Sequence, residues 1–281
     1  MKDLLAFVHI EKAAGTTLVH ILRRNFFGRY MDVRPLTRSA DAAFTANDLR
    51  LSFRVNPFLG CIAGHSLKPD YDLDIIAPQI RYITLLRDPV DRYISQFRYW
   101  NRYLGKNQNF EQFFKHAPAW NVQTRKIDRN GNIEQAKKRL EENFFQVGLV
   151  EDFDEFLVLL KAKIASKHFD IRYQSHNTAG SDNTEREQLL QKYGDDIRRA
   201  NSDDIALYNW VKNDLLPRQR LEYGDSLDAD IMMAEADNKR LRPRKFKSYM
   251  DYAMRKLYIE PVSGLIRCAH GLPSKGSYSD Y

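Results

Sequence analysis

Residues 8–18 of the chain read VHIEKAAGTTL, and this stretch decides the fold class. The apolar run from Leu4 to Ile10 predicts a first strand, the small residues after it predict a turn, and a helix begins near Gly15. The apolar residues of that helix recur at spacings of three and four: Leu18, Ile21, Leu22, Phe26. A strand, a turn and a helix in this order are typical of an α/β sheet protein.

The turn and the first helical residues predict an anion-binding site. The leading N–H groups of a helix have no partner inside the helix, and the helix dipole places partial positive charge there. Ala13, Ala14 and Gly15 are small enough for a ligand to approach the backbone closely. Thr16 and Thr17 follow and add hydroxyl donors. A helix N-terminus with an incidental lysine nearby is the alternative interpretation.

The lysine of this stretch is not where a loop for nucleoside triphosphates would have it. A Walker A loop requires Gly-x-x-x-x-Gly-Lys followed by Ser or Thr, and no part of the chain has that pattern. Lys12 instead precedes Gly15. We therefore expect Lys12 to reach a bridging oxygen at a reacting group rather than to lie along the β- and γ-phosphates.

A second motif, LLRDPVDRYISQF at residues 85–97, follows another strand. The run IRYITLL at residues 80–86 is continuous and contains β-branched residues, as strands covered on both faces do. Asp88 suits the N-cap of the helix that follows, and Pro89 suits its first position.

Arg87 and Ser95 of this motif predict a phosphate-binding pair. Arg87 leaves the carboxyl end of the strand, where α/β sheets bind ligands, and Ser95 lies two helical turns further on. An arginine can bind a terminal phosphate through two parallel hydrogen bonds, and a serine can add a third. The alternative is an ion pair of Arg87 with Asp88 or Asp91, and a Ser95 that lies on the helix surface.

Further segments complete the predicted α/β fold. Strands are predicted at residues 59–63 and 145–150, and a helix at residues 133–143. Asp152 and Glu155 have the spacing of a capping box at the start of another helix. Strands that alternate with helices predict a P-loop-like central parallel sheet with helices on both faces.

The C-terminal part of the chain differs from the rest. From Asn238 to Lys256 there are eight Lys or Arg residues and one acid, Asp251. We assign residues 1–225 to the α/β domain and residues 226–281 to a basic helical C-terminal extension. The cluster at residues 238–256 could contact a polyanion or the surface of an acidic membrane, or it could be a solvated face.

The net charge and the cysteines indicate which partners and which cellular compartment to expect. The chain has 281 residues and a net charge of +7, which favours anionic partners. Its two cysteines, Cys61 and Cys268, lie far apart, which fits a reducing compartment. The first apolar run is too short for a membrane span and no cleavage site follows it; no later segment reaches the roughly 18 apolar residues that a span needs. We therefore expect a cytoplasmic protein.

The two motifs together resemble those of the sulfotransferases that use 3′-phosphoadenosine 5′-phosphosulfate (PAPS). The similarity is greatest to the branch with the heparan, chondroitin and dermatan O-sulfotransferases and their bacterial relatives. Residues 9–18 look like the 5′-phosphosulfate loop of that family, and residues 87–95 look like its 3′-phosphate element. The likeness spans roughly residues 4–215, and the position of Glu11 is often proline in the family. Three further stretches are also similar: Gly64-His65, residues 120–127 and residues 147–160.

The resemblance implies a role for each matching residue. Lys12 would contact the oxygen that bridges the sulfuryl group and the 5′-phosphate. Arg87 and Ser95 would bind the 3′-phosphate, which distinguishes this donor from ATP. His65 would take the proton from the acceptor hydroxyl, a task that suits the usual histidine pKa of about 6.5. The 5′-phosphate would be bound by the loop and the first helical turn: Ala13, Ala14, Gly15, Thr16, Thr17, Leu18.

The implied reaction moves a sulfuryl group from PAPS to a hydroxyl of a carbohydrate or another small molecule and leaves the product PAP. Neither a metal ion nor a nucleic-acid partner is expected, and the oligomeric state stays open. For His65 the alternative is a structural role at the end of the strand, and for His9 we expect packing. The competing functions are a P-loop-type kinase, which would need ATP and a metal, and a non-catalytic binder of anionic glycans or membranes.

Overall fold

Five parallel strands form one sheet in the computed structural model, which describes residues 3–38, 42–173, 183–240 and 245–274. The strands are β1 (Leu4–Val8), β2 (Tyr30–Asp32), β3 (Cys61–Gly64), β4 (Ile80–Leu86) and β5 (Phe144–Leu149). Their order across the sheet is β2-β3-β1-β4-β5. The central parallel sheet predicted from the sequence is therefore confirmed.

Helices surround the sheet and continue beyond it to the C-terminal part of the chain. They are α1 (Gly15–Asn25), α2 (Ala46–Val55), α3 (Pro89–Arg102), α4 (Phe110–Phe114), α5 (Val122–Ile127), α6 (Ile133–Glu142), α7 (Phe153–Ile164), α8 (Asn183–Ala200), α9 (Ser202–Trp210), α10 (Leu216–Tyr223), α11 (Leu227–Arg240), α12 (Lys245–Met254) and α13 (Glu260–Ala269). Short 3-10 helices lie at Asp72–Ile75 and Ala117–Ala119. Wide π-type turns, Val211–Leu215 and Arg255–Ile259, join α9 to α10 and α12 to α13.

Strand β1 shows why the apolar runs are continuous. Its side chains alternate between two buried layers, with Leu4, Ala6 and Val8 in one and Leu5 and Phe7 in the other. Helices α1 and α7 pack in the second of these layers. A strand in the middle of a parallel sheet is covered on both faces, so every position is apolar.

The predicted strands differ from the observed ones mainly at their ends. Strand β4 has the predicted bounds, whereas β1 ends at Val8 rather than Ile10. The strand predicted at residues 59–63 lies at Cys61–Gly64, and β5 begins and ends one residue earlier than expected. Strand β2 was missed because three residues are too few to show an alternating pattern.

The two predicted helix starts have different outcomes. The Asp88 carboxylate accepts a hydrogen bond of 2.9 Å from the Asp91 N–H, and Pro89 is the first residue of α3, as predicted. Asp152 stands at the start of α7, but its side chain makes no capping hydrogen bond. Glu155 instead forms an ion pair of 3.0 Å with Arg220, so the capping-box prediction was wrong.

The C-terminal helices pack against the sheet layers. Leu227 at the start of α11 is buried with α1 and α7, and Ile259 is buried in the opposite layer. The helical character predicted for this region is confirmed, whereas the boundary at residue 225 stays a prediction. Part of the basic cluster at residues 238–256 lies outside the described residues, and its proposed partner also stays a prediction. None of the helices in the described ranges is long and apolar enough to cross a membrane.

Candidate active site

The candidate site lies in a crevice between the carboxyl ends of β1 and β4. These strands are neighbours in the sheet. The chain leaves β1 toward the β2–β3 side of the sheet and leaves β4 toward β5 on the other side. Connections that leave adjacent strands in opposite directions open a crevice at that edge, where α/β proteins bind ligands. The loop with Lys12 follows β1, and Arg87 follows β4.

The loop between β1 and α1 has an unusual backbone. Lys12 has φ 68° and Ala14 has φ 52°, the left-handed region that residues with a Cβ rarely adopt. Such conformations cost about 1–3 kcal/mol each and concentrate at functional sites. The N–H groups of residues 14–17 donate no hydrogen bond to any acceptor within the described part of the chain. Together with the dipole of α1, these donors form a site suited to an anion.

Gly15 makes room for a buried histidine. A Cβ at Gly15 would lie 1.7 Å from Nε2 of His9. The His9 ring stacks between Phe7, at a centroid distance of 5.1 Å, and His65, at 4.0 Å. Burial lowers the pKa of His9 well below its usual value, so the ring is neutral at physiological pH. The packing role expected for His9 therefore agrees with its position.

Lys12 and Arg87 meet at the crevice. Nη1 of Arg87 donates a hydrogen bond of 3.1 Å to the carbonyl oxygen of Lys12. Nζ of Lys12 lies 4.2 Å from the centroid of the Tyr99 ring, a cation–π contact. Partial burial, and secondarily the charge of Arg87, lower the pKa of Lys12 to about 8. The amine therefore loses its proton at a much lower pH than an exposed lysine does.

His65, directly after β3, has its ring orientation set by the loop. Its Nδ1 lies 2.9 Å from the carbonyl oxygen of His9 and 3.3 Å from Oε1 of Glu11. Both partners are acceptors, so Nδ1 carries the hydrogen, and the lone pair of the neutral ring is on Nε2. Burial lowers the pKa of His65, and the attraction of Glu11 opposes part of that effect. The neutral ring is the form in which a histidine acts as a base.

Glu11 joins His65 to a lysine from another part of the chain. Nζ of Lys126, on α5, lies 2.9 Å from Oε1 of Glu11 and donates a hydrogen bond of 2.6 Å to the carbonyl oxygen of His65. Burial would raise the pKa of Glu11, but Lys126 and His65 outweigh it and hold that pKa at about 2. Glu11 is therefore ionised at every pH at which the protein would be assayed.

Helix α5 also fixes the backbone of Arg87. The side-chain amide of Gln123 accepts a hydrogen bond from the Arg87 N–H and donates one to the Arg87 carbonyl oxygen, both at 2.9 Å. The start of α5 is held in turn by the Asp204 carboxylate, which accepts from the N–H groups of Gln123 and Thr124 at 3.0 and 2.7 Å. One short helix therefore positions both Arg87 and the Glu11–Lys126 pair.

A cavity of about 570 Å³ opens beside His65. Glu11 and His65 line it, whereas Lys12 does not. Among the described residues, the lining has one acid, Glu11, and five Lys or Arg residues: Lys68, Arg92, Arg125, Lys126, Arg129. The cavity is thus strongly positive and has the size of a small-molecule site.

The comparison with protein families decides the assignment, because the model of the sulfotransferase family matches residues 1–256. The chain belongs to the sulfotransferase family. A solved sulfotransferase from Alicyclobacillus acidocaldarius is similar at 13% identity over 78% of this chain and 100% of its own length, with a TM-score of 0.42. At that TM-score the likeness supports no conclusion about function. No curated protein matches the chain.

The residues predicted for the candidate site do not all offer groups to a ligand. Lys12, Arg87 and the N–H groups of the loop converge on the crevice. Ser95 is half-buried on α3, two turns beyond Arg87. Leu18 is different, because its side chain is in the core and its N–H donates to the Ala14 carbonyl oxygen at 3.4 Å. Leu18 therefore supports the helix and has no donor for a phosphate.

Three residues of the candidate site were missed from the sequence: Glu11, Gln123 and Lys126. In the sequence, Glu11 stands out only as a departure from the common proline, and residues 120–127 only as a stretch similar to the family. Their contacts join parts of the chain more than thirty residues apart, which no local pattern reveals. Among the residues that the structure describes, no cluster of three or more His, Cys, Asp or Glu side chains could hold a metal ion.

Proposed function

We propose that this sulfotransferase transfers the sulfuryl group of PAPS to a hydroxyl of a carbohydrate acceptor. The observation that carries the proposal is the hydrogen bond of 3.1 Å between Nη1 of Arg87 and the carbonyl oxygen of Lys12. It joins the two motifs, one suited to a 5′-phosphosulfate and one to a 3′-phosphate, at a single crevice. A donor with both groups would use both motifs at once.

The loop supports the assignment of the 5′-phosphosulfate. The N–H groups of residues 14–17 would donate to the 5′-phosphate at the positive end of α1. Lys12 would leave the face of Tyr99 and contact the oxygen that bridges phosphorus and sulfur. A cation at that oxygen stabilises the negative charge that develops as the bond to sulfur breaks.

The cavity beside His65 supports the position of the acceptor. His65 and Glu11 line it and Lys12 does not, so in this proposal the acceptor binds there and the donor binds at the loop, on opposite sides of the sulfur. That is the arrangement required by an in-line displacement, as in phosphoryl transfer. The excess of cations in the lining favours an acceptor that carries negative charge as well as hydroxyl groups.

The proposed step is balanced by the residues of the site. The acceptor oxygen forms a bond to sulfur while the bond between sulfur and the bridging oxygen breaks. The acceptor proton moves to Nε2 of His65, and the electron pair of the broken bond stays on the 5′-phosphate of PAP beside Lys12. The proposal includes no metal ion, and we expect EDTA to leave turnover unchanged.

Ligand-induced thermal stabilisation tests the donor. A ligand that binds only the folded state raises the melting temperature by mass action. PAP is expected to stabilise the protein in EDTA, whereas adenosine 5′-phosphate, which lacks the 3′-phosphate, should do so only weakly. A magnesium-dependent shift with ATP and none with PAP would contradict the proposal and favour the kinase alternative.

A further inference from the structure

The Glu11 carboxylate lies close to two side-chain nitrogen atoms, one of Lys126 and one of His65, and it interacts with them differently. Oε1 is 2.9 Å from Nζ of Lys126 and 3.3 Å from Nδ1 of His65. Lys126 pairs with it through an ammonium group, whereas His65 becomes a cation only when Nε2 takes up a proton. The carboxylate therefore has a constant partner and one whose charge changes during the reaction.

We propose that Glu11 is a positioning residue that stabilises the protonated form of His65 during sulfuryl transfer. The inference rests on the proposed function, in which Nε2 of His65 takes the proton of the acceptor hydroxyl. When that proton arrives, positive charge spreads over both ring nitrogens. The ionised Glu11 beside Nδ1 then faces a full positive charge at a distance where an opposite charge favours the charged form.

The surroundings of His65 make such a partner necessary. The ring is largely buried, and burial disfavours its cation. His9 stacks on one face at 4.0 Å but is neutral, so it neither repels nor attracts the cation strongly. Lys126 repels the cation, and the more distant Asp32 attracts it. Of these groups, Glu11 supplies the largest attraction.

The carbonyl oxygen of His9 cannot serve in place of Glu11. It fixes the ring through Nδ1 at 2.9 Å, but it carries no net charge and bonds both the neutral and the protonated ring. The carbonyl therefore sets the tautomer, while the carboxylate changes the free energy of protonation. Lys126 in turn holds the Glu11 carboxylate in place and donates to the His65 carbonyl oxygen at 2.6 Å.

Two substitutions separate this electrostatic role from a merely structural one. Glu11→Gln removes the attraction, so we expect the pKa of His65 to fall. Lys126→Met removes a repulsion and leaves Glu11 to His65 alone, so we expect the pKa of His65 to rise. A disturbance of packing would give no reason for opposite signs. Glu134→Gln is the matched control, because Glu134 also pairs with a lysine, Lys137 at 2.9 Å, but on the exposed surface of α6.

The experiment is a pH titration of the ring nitrogens by NMR in protein labelled with ¹⁵N-histidine, with His65 assigned from a His65→Gln sample. It needs no turnover, so it can fail independently of the proposed function. The expected result is a His65 pKa that falls in Glu11→Gln, rises in Lys126→Met and is unchanged in Glu134→Gln. A pKa that is unchanged in Glu11→Gln, or that moves the same way in both site variants, would overturn the inference.

Turnover completes the test. We expect Glu11→Gln to lower kcat about tenfold, which is only part of the roughly 10²–10⁴-fold that a general base contributes, and to leave the KM for the donor unchanged. Glu11→Asp should recover part of the loss because it keeps the charge. A wild-type kcat in Glu11→Gln would remove Glu11 from the reaction. Failure of the wild-type protein to use PAPS would contradict the proposed function, and the titration would still decide whether Glu11 stabilises the cation.

Discussion

The His9 ring occupies the space that a side chain at Gly15 would need, because a Cβ there would lie 1.7 Å from Nε2 of His9. The glycine of the loop thus serves the packing of a histidine. The position of His9 also affects the site, because the His9 ring stacks on His65 and the His9 carbonyl oxygen fixes Nδ1 of His65. A change at Gly15 should therefore affect both the loop and the candidate base.

We expect Gly15→Ala to destabilise the protein by about 1–3 kcal/mol, since overpacking forces buried groups to move. Urea unfolding measures the loss. The control is Gly194→Ala in α8, where the added Cβ would meet only the flexible end of Arg198. Because alanine favours a helix more than glycine does, this substitution should raise the free energy of unfolding by about 0.5–1 kcal/mol. Equal stability of Gly15→Ala and the wild type would contradict the packing of His9 described here.

The rate of transfer should fall on the alkaline side of neutrality. In the proposed reaction Lys12 must be protonated to neutralise the leaving oxygen, and its pKa is lowered to about 8 by burial and Arg87. The charged form is therefore lost as the pH rises through about 8, and kcat/KM, which reports the free enzyme, should fall there. A bound anionic donor favours the cation, so the alkaline limb of kcat should lie at higher pH.

Lys12→Arg tests that assignment, because a guanidinium keeps its proton throughout this pH range. The variant should lose the alkaline limb of kcat/KM whatever its rate. An alkaline limb that remains near pH 8 in Lys12→Arg would assign the titration to another group. The acid limb should lie below pH 6.5, since the neutral form of His65 is needed and its pKa is lowered.

Arg87→Ala should weaken PAP binding more than tenfold, because charge-assisted hydrogen bonds contribute about 1.5–3 kcal/mol. Isothermal titration calorimetry with PAP and with adenosine 5′-phosphate measures the selectivity. If Arg87 binds the 3′-phosphate, the substitution should remove most of the preference for PAP and change the affinity for adenosine 5′-phosphate less. We expect a smaller effect of the same kind from Ser95→Ala. Unchanged selectivity in Arg87→Ala would contradict the 3′-phosphate assignment.

Gln123→Ala removes both hydrogen bonds of the side chain to the Arg87 backbone. Leaving buried polar groups without partners costs about 1–3 kcal/mol, so the melting temperature should fall. PAP should also bind more weakly, although Gln123 would not touch it. Gln135→Ala, at an exposed position of α6, is the control. A Gln123→Ala variant with wild-type stability and affinity would show that Arg87 needs no such support.

Local patterns predicted four of the five strands and the loop, because each of these has a sequence pattern within about ten residues. The continuous apolar runs of β1 and β4 follow from burial on both faces, and Asp88-Pro89 marks the start of α3. The capping box at Asp152 failed because Glu155 pairs with Arg220, which lies far away in the sequence. A distant ion pair leaves no periodic signal.

The parts of the candidate site that lie within one short motif could be predicted, whereas the contacts between distant parts of the chain could not. The loop and the Arg87–Ser95 element are short motifs, so their residue types were visible. Glu11 meets Lys126, and Gln123 meets Arg87, only after the chain has folded. Gly15 has a further role that the local sequence does not show, because its small size also leaves room for the His9 ring.

Transfer of labelled sulfur from PAPS tests the central claim most directly. The protein is incubated in EDTA with PAPS labelled in the sulfuryl group and a panel of neutral and acidic saccharides, and products are identified by mass. We predict a product that has gained one SO₃ group, with release of an equal amount of PAP, and loss of this activity in Lys12→Ala and His65→Ala. The account would be contradicted if the protein transferred a sulfuryl group from an aryl sulfate but transferred none from PAPS to any of these acceptors.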